Sequence, residues 1–304
     1  MIYPLKSPDF DDTAIAFSHH SDARLKKAYW LFCIMNNAWL VRTGIFLTKL
    51  AFKLRLPVKP LIRHTVFQHF CGGETIAQCR ETIQKLGKKG VGTILDYSVE
   101  GKESESAFDH TLQRLLDTVE TAAGDKNIPF AVFKVTGLAG TVLLEKFQRQ
   151  EALLPAEKEQ LARARRRIHL LCQKAYESGV RIFFDAEESW IQGAIDRLCY
   201  EMMALFNKEK AIVYNTFQFY RRDMSDRYKE AFTKAGESGY FLGAKLVRGA
   251  YLEKERLQAE EHQYPDPIHA SKEATDSAYN EAVRFSLAKI SRVAICLGTH
   301  NEES

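Results

Sequence analysis

The chain has 304 residues, of which 45% are hydrophobic and 27% are charged, a balance typical of folded globular proteins that excludes disordered and fibrous classes. Its net charge of +4, from 43 basic and 39 acidic residues, is too small to indicate a nucleic-acid-binding protein. The six cysteines are scattered without a CxxC pair, so the sequence predicts buried, reduced thiols of an intracellular protein and no metal site.

Residues 1–12 carry three aspartates and match neither a secretory signal nor an Arg-rich transit peptide. The sequence therefore predicts a cytoplasmic location, or a mitochondrial one if the source is eukaryotic. The most apolar stretch, residues 28–51, is interrupted by two asparagines, Arg42 and Lys49. Such polar interruptions argue against a membrane-spanning helix.

Residues 23–73 hold nine Lys or Arg residues, interleaved aromatic residues, and no Asp or Glu. Apolar and basic residues recur at roughly helical spacing, which predicts amphipathic helices in an N-terminal arm of residues 1–85. Two functions fit this arm: it lies against the inner face of a bacterial membrane, or it packs on the protein's own main domain. Because basic, aromatic helices are common in proteins that never touch lipid, the second interpretation is favoured, and a combined role also fits.

After Gly90, short β-rich runs alternate with long helical stretches, which predicts parallel βαβ units in a second domain of residues 86–304. Strands are predicted at residues 93–97, 130–134, 181–185, 211–215, 243–247 and 293–297, and helices near 105–123, 140–178, 189–208, 223–237 and 275–289.

Nearly every predicted strand ends in a polar or charged residue, and (βα)₈ barrels carry their working residues at the C-terminal ends of several strands. A doubly wound sheet gathers its site at one switch point, and no GxGxxG motif follows the first strand. The sequence therefore predicts an α/β fold, a (βα)₈-type barrel with about six βα units present. Because closure takes eight strands, two further units of roughly 60–80 residues are expected beyond Ser304.

Three residues at predicted strand ends carry candidate chemistry. Lys134 can bind a carboxylate as a point charge or form a Schiff base, or it simply extends from the strand end into solvent. Asp185 follows a buried strand and needs a partner, for which Lys134 is a candidate. The amide of Asn215 can bind the polar edge of a planar cofactor or cap the strand.

The run from Lys245 to Tyr251 is the most informative. Its strand delivers Lys245 inward, Arg248 can grip a phosphate, and Gly249 lets the backbone approach a ligand closely. The KxxRG pattern alone is weak, and its position after a strand strengthens it.

Five ordered runs, over roughly residues 60–304, resemble the proline dehydrogenase family. They are FKVTG at 133–137, FDAEE at 184–188, NTFQ at 215–218, KLVRGAY at 245–251 and GTHN at 298–301. The lysine and arginine of KLVRGAY are similar to those of the monofunctional, mitochondrial-like branch. The resemblance implies bound FAD, L-proline as substrate, pyrroline-5-carboxylate as product through hydride transfer to flavin N5, and quinone as the electron acceptor. Since that quinone lies in a membrane, the resemblance also implies peripheral membrane association.

By position, the resemblance implies that Lys134 binds the proline carboxylate and that Asp185 and Lys245 form the catalytic centre beside the flavin. The cofactor contacts that it implies are Ala186, Asn215, Val247, Arg248, Gly249, Ala250, Lys272, Thr275, Thr299 and His300. In the family, a later helix supplies paired arginines that clamp the substrate carboxylate. The 304 residues by themselves are therefore expected to bind FAD weakly and to turn over proline poorly.

Two other functions remain open at this point. One is a barrel aldolase that forms a Schiff base at Lys134 or Lys245, which borohydride would trap in the presence of a carbonyl substrate. The other is a non-catalytic fragment that docks on membranes or partners through residues 23–73. That fragment would bind no flavin, and its pelleting with liposomes would be lost on neutralising Lys49, Lys53 and Arg55.

Overall fold

A computed structural model of the chain describes residues 11–18, 20–97 and 103–304. The expectation that residues 1–12 carry no targeting pattern concerns residues that lie almost entirely outside this description. The chain divides into two compact units, residues 1–90 and residues 91–304.

The first unit is helical, and polar side chains cap several of its helices. Ser21 accepts a hydrogen bond from the Arg24 N–H at 3.4 Å, and Asn37 accepts from the N–H groups of the first turn that follows it. Such caps satisfy backbone donors that have no partner within the helix. The helices are α1 (Thr13–Ala16), α2 (Asp22–Met35), α3 (Ala38–Lys53), α4 (Lys59–Ile62), a π-helical turn (Arg63–Phe67), α5 (Gln68–Phe70) and α6 (Ile76–Gly87).

Helices α2 and α3 leave much apolar surface uncovered. Trp30 is 66% exposed and Trp39 is 70% exposed, and among the described residues of this unit Ile83 alone is buried. Within the described part of the chain, no single helix has the length and apolar character needed to cross a bilayer. Helices α2 and α3 taken together meet that length and composition, but the pair is bent by 95°.

The second unit is built on six parallel strands that pair in chain order. Helices connect consecutive strands, as parallel pairing requires. The strands are β1 (Ile94–Asp96), β2 (Phe130–Phe133), β3 (Arg181–Phe184), β4 (Val213–Gln218), β5 (Leu242–Val247) and β6 (Val293–Gly298). The helices are α7 (Glu105–Ala123), α8 (Thr141–Gln148), α9 (Pro155–Glu177), α10 (Ser189–Phe206), α11 (Met224–Glu237), α12 (Leu252–Glu261) and α13 (Lys272–Ala288), with a 3₁₀ turn at Val135–Gly137.

The central strands β2 to β5 are largely buried on both faces, which explains their nearly continuous apolar composition. On one face Phe130 stacks on Phe183 with 4.3 Å between ring centres, and Val132 and Tyr214 belong to the same buried cluster. The buried Asn207 amide accepts from the first backbone N–H of β4 and donates to backbone carbonyls of β4 and of Phe241. This amide joins the starts of β4 and β5.

Two stretches of helix differ from the sequence prediction for local reasons. The single helix predicted over residues 140–178 is two helices, because Gln150 adopts a positive φ of 57° and Pro155 begins a new helix. Helix α12 was not expected. Six of its ten residues are charged and only two are buried, so its apolar periodicity is weak.

The cysteines are free, as expected from their spacing. Cys172 and Cys199 are buried, but Cys33 and Cys71 are exposed. The expectation that all six thiols are buried is therefore wrong for Cys33 and Cys71, two of the three cysteines of the helical unit, where few side chains of any kind are covered.

Candidate active site

Polar side chains from four neighbouring strands meet at the carboxyl edge of the sheet. Lys134 directly follows β2, Asp185 directly follows β3, Gln218 ends β4, and Lys245 lies near the end of β5. Because the strands are all parallel, their carboxyl ends share one edge, and side chains at alternate positions point to the same side. The polar strand ends of the sequence are thereby gathered in one region.

An ion pair between Lys245 and Asp185 forms the centre of this region. The distance from Nζ to Oδ1 is 2.7 Å, and the two side chains are 23% and 27% exposed. The Lys245 ammonium also lies 5.2 Å from the centre of the Phe183 ring. Lys134 was a candidate partner for Asp185, but the carboxylate bonds instead to Lys245, on the far side of β4.

Lys134 is half-buried beside Tyr251, with 6.0 Å from its Nζ to the ring centre. Burial by itself lowers the pKa of this ammonium, but the Tyr251 hydroxyl and the carboxylates of Glu187 and Asp185 outweigh burial and raise the pKa above its ordinary value. Lys134 therefore remains a cation at neutral pH, which suits it to bind an anion.

A pocket of about 660 Å³ opens at this edge, within the range of roughly 300–1,000 Å³ that cofactor and ligand pockets occupy. It is lined by residues of β4, β5 and β6, by the segments that follow β3, β5 and β6, and by the first residue of α13. The lining residues are Asp185, Ala186, Thr216, Gln218, Lys245, Val247, Arg248, Gly249, Ala250, Tyr251, Lys272, Gly298, Thr299, His300, Asn301, Glu302 and Glu303.

One wall of the pocket carries a cluster of charges around Arg248. Its guanidinium bonds to Asp276 and, at 2.6 Å, to the Thr299 hydroxyl, and it lies 4.5 Å from the centre of the Tyr279 ring. Lys272 also binds Asp276, at 2.5 Å. Hydrogen bonds from Lys272 and Arg248 lower the pKa of the Asp276 carboxyl, so the cluster keeps its charges over the ordinary pH range.

Gly249 forms a bare stretch of this wall. Its φ is +145°, and a Cβ atom added here would lie 2.4 Å from the Tyr220 ring. Both its backbone conformation and its neighbour therefore require glycine. The absence of a side chain lets the Tyr220 ring pack against residue 249, whose backbone lines the pocket.

Ten of the thirteen predicted site residues line the pocket. They are Asp185, Ala186, Lys245, Val247, Arg248, Gly249, Ala250, Lys272, Thr299 and His300. Lys134 stands beside the pocket residue Tyr251, while Thr275 is buried with its hydroxyl bonded to the Ser271 carbonyl. Gln218, Thr216 and Tyr251 line the pocket although they were not among the thirteen.

Contrary to expectation, the Asn215 side chain does not reach the pocket. It points toward α10, where its amide donates to Asp196 Oδ1 at 2.8 Å. Strand β4 continues to Gln218 instead of ending at Asn215, so alternation turns Thr216 and Gln218 inward and Asn215 outward. A strict count of every second residue from Tyr214 would have found Thr216 and Gln218.

Comparison with known proteins identifies sequence relatives over most of the second unit. Residues 79–304 match the family model described as proline dehydrogenase. A carbapenem antibiotics biosynthesis protein, CarD, of Pectobacterium carotovorum is 34% identical over 236 residues, which is 77% of this chain and 61% of that protein. The mitochondrial proline dehydrogenase 1 of Dictyostelium discoideum is 29% identical, over 83% of this chain and 51% of the relative. The chain thus spans only about half to three fifths of the length of these two curated relatives.

The fold is also found among solved structures. Proline utilization A (PutA) from Bdellovibrio bacteriovorus, inactivated by N-propargylglycine, superposes with a TM-score of 0.70 at 20% identity, over 80% of this chain and 26% of that chain. At this identity the match is evidence for the fold alone. It confirms the predicted α/β fold of the (βα)₈-barrel type, of which six consecutive βα strands are described.

Proposed function

Because the chain belongs to the proline dehydrogenase family, we propose that it is a flavin-dependent oxidoreductase that converts L-proline to pyrroline-5-carboxylate. The observation that carries the proposal is the ion pair of Asp185 and Lys245 beside a pocket of cofactor size. Barrel enzymes carry their active sites at this edge of the sheet. The proposal concerns the full-length protein.

The residues of the pocket suit FAD by their chemistry. Arg248 and Lys272 offer cationic donors to a pyrophosphate, and the Gly249 backbone lines the pocket beside them. Further contacts are proposed for Ala186, Val247, Ala250, Thr299 and His300. We infer that Asn215 acts indirectly, through its neighbour Thr216, which lines the pocket. Thr275 likewise acts through its neighbour Asp276, which binds Arg248. When bound, FAD supplies the acceptor, flavin N5, for the hydride of the proline ring.

The substrate is held by charge. The ammonium of Lys134 binds the proline carboxylate, and its raised pKa keeps it protonated. The proline nitrogen must be neutral for the neighbouring carbon to release a hydride, and nearby Lys134 and Lys245 favour this by lowering the pKa of that amine. Asp185 holds the Lys245 ammonium in place.

For the electron acceptor we propose a membrane quinone. In this proposal residues 86–304 form the catalytic domain, and the N-terminal arm, residues 1–85, associates peripherally with the membrane that holds the quinone. The exposed tryptophans of α2 and α3 and the nine basic residues over 23–73 support contact with anionic lipid. In this proposal the protein acts at the inner face of a bacterial membrane, or in the mitochondrion of a eukaryote, as the name of the Dictyostelium relative indicates for that protein.

A Schiff-base aldolase has less support. Such an enzyme needs a neutral lysine amine as nucleophile. Lys245 is held in an ion pair, and the pKa of Lys134 is raised, which makes its neutral form rarer than in free lysine.

The direct test follows the visible spectrum of the purified full-length protein, loaded with FAD, during anaerobic titration with L-proline. We expect the bands of oxidised flavin to bleach with the wild-type protein. The Lys245→Met variant should bind proline but bleach at least tenfold more slowly, because a charge in the reacting centre is worth on the order of 10²-fold in rate.

The matched control is Lys229→Met, which removes an exposed lysine paired with Glu281 at 2.9 Å outside the pocket. This variant should bleach at the wild-type rate. A wild-type protein that takes up no FAD, or that holds FAD whose bands persist with proline, would refute the proposed function.

A further inference from the structure

The loop between β3 and α10, residues 185–188, contains a second acid that the proposed chemistry does not use. Glu187 is 4% exposed, although it lies two residues from the Asp185 of the ion pair. A buried carboxylate is costly unless hydrogen bonds satisfy it. Its partners therefore indicate what it does.

Both carboxylate oxygens of Glu187 are bonded to one residue of the preceding βα loop. Oε1 accepts from the Thr136 N–H at 3.1 Å, and Oε2 accepts from the Thr136 hydroxyl at 2.5 Å. Thr136 lies in the 3₁₀ turn Val135–Gly137, and Lys134 is the N-cap residue of this turn. The bidentate contact thus fixes the turn that determines where Lys134 leaves β2.

The backbone of Glu187 is fixed as well. Its N–H donates to Gln192 Oε1 at 2.8 Å, and its carbonyl accepts from Gln218 Nε2 at 2.9 Å. The Oε1 atom of Gln218 in turn accepts from the Ala250 N–H at 3.2 Å. Residue 187 therefore connects the loop after β2 with the end of β4 and the segment after β5, and its own position is rigid.

We propose that Glu187 is a positioning residue, which holds the Thr136 turn so that the Lys134 ammonium meets the carboxylate of the substrate. This inference rests on the proposed role of Lys134 as the carboxylate-binding group. A residue that merely filled space would not discriminate between charged and neutral ligands. A positioning residue for an ammonium would, since a charge-assisted hydrogen bond depends on geometry.

The test compares two unreactive ring compounds, cyclopentanecarboxylate and cyclopentanecarboxamide, whose binding to the full-length protein is measured by calorimetry. Wild-type protein should prefer the carboxylate. Glu187→Ala should weaken carboxylate binding by roughly tenfold or more and leave carboxamide binding nearly unchanged. Glu187→Gln should restore carboxylate binding to within about threefold, because its amide can still accept from the Thr136 N–H and pair with the hydroxyl.

The matched control is Glu188→Gln, which removes a charge from the same loop but from a carboxylate paired with Lys254; it should bind both compounds as wild type does. If Glu187→Ala does not fold, Thr136→Val removes the hydroxyl from the other end of the contact and should give a smaller loss of the same kind.

Three results would overturn the inference. Unchanged carboxylate binding in a folded Glu187→Ala protein, or an equal loss for both compounds, would assign Glu187 a structural role and leave the proposed function intact. Wild-type protein that binds the two compounds equally would instead remove Lys134 from its proposed role, and the positioning role with it. Flavin bleaching by proline tests the proposed function separately.

Discussion

At the scale of single residues, burial raises the pKa of two carboxyls in the described part of the second unit above their ordinary values. Burial raises the pKa of the Glu187 carboxyl against the hydrogen bonds from Thr136. Burial likewise raises the pKa of the Asp196 carboxyl, against bonds from Asn215 and Gln192. The partner of Asp185 is a cation, Lys245, which binds it directly. The charge at the pocket is thus paired, while the charges behind it are held by neutral donors.

Asp196 gives a prediction about pH. Its folded-state pKa is raised above the ordinary value of 3.8, so the folded state loses stability relative to the unfolded state as pH rises through that pKa. Asp196→Asn keeps an oxygen to accept from Asn215 but cannot ionise. Its free energy of unfolding, relative to wild type, should therefore be higher at about pH 8 than at about pH 4 in urea denaturation.

Asp226→Asn is the control, since that exposed acid in α11 has no such burial. A difference between Asp196→Asn and wild type that is the same at both pH values would contradict the assignment of a raised pKa to Asp196.

At the scale of elements, α12 fastens the start of α10. The carboxylate of Glu255 is fully buried and accepts from the Ser189 N–H at 2.6 Å and from its hydroxyl at 2.5 Å. Ser189 is the first residue of α10, so a residue of another helix satisfies a donor that α10 cannot satisfy itself. The loops after β3 and β5, which carry Asp185 and Arg248, are thereby held together from outside.

Glu255→Ala should lower the free energy of unfolding by about 1–3 kcal/mol, because it leaves buried donors without a partner. Urea denaturation measures this loss. Glu253→Ala, in the same turn of α12 but exposed, should change stability by less than about 0.5 kcal/mol. Equal effects of the two substitutions would show that Glu255 does not cap α10.

Sequence periodicity was sufficient for elements with a strong apolar pattern. Helix α7 spans residues 105–123 as predicted, because its amphipathic repeat begins at the Ser104 cap. Periodicity was not sufficient where strand pairing or a weak apolar pattern decides the outcome. Strand β4 extends to Gln218 along β5, and α12 buries only two of its ten residues. The candidate site could be predicted from the sequence to a similar extent. Strand ends identified Asp185 and Lys245, but the partner of Asp185 and the outward side of Asn215 depend on strand register.

At the scale of the whole molecule, the two units differ in how they cover apolar surface. Buried aromatic residues occur throughout residues 91–304, whereas the aromatic side chains of α2 and α3 are exposed. In an aqueous protein such a patch is typical of an interaction surface. Its basic residues favour an anionic partner over a neutral one.

We therefore expect the protein to pellet with vesicles that contain anionic lipid and to be released by high salt. Neutralising Lys49, Lys53 and Arg55 to Gln should weaken this binding on the order of a hundredfold, at about 1 kcal/mol for each charge. Neutralising three exposed lysines of the second unit, Lys126, Lys158 and Lys210, is the control. Equal binding of both triple variants, or binding to neutral vesicles alone, would contradict membrane contact through the arm.

The bond between Arg248 and Asp276 has a consequence for how anions enter the pocket. The guanidinium already has an internal carboxylate competing for it, so an incoming anion exchanges with Asp276 or shares the donor instead of meeting a free charge. Simple monovalent ions gain little from such an exchange. An anion with several oxygens, able to engage Lys272 as well, gains more. Competition from the Asp276 carboxylate thereby favours polyvalent over monovalent anions at this wall of the pocket.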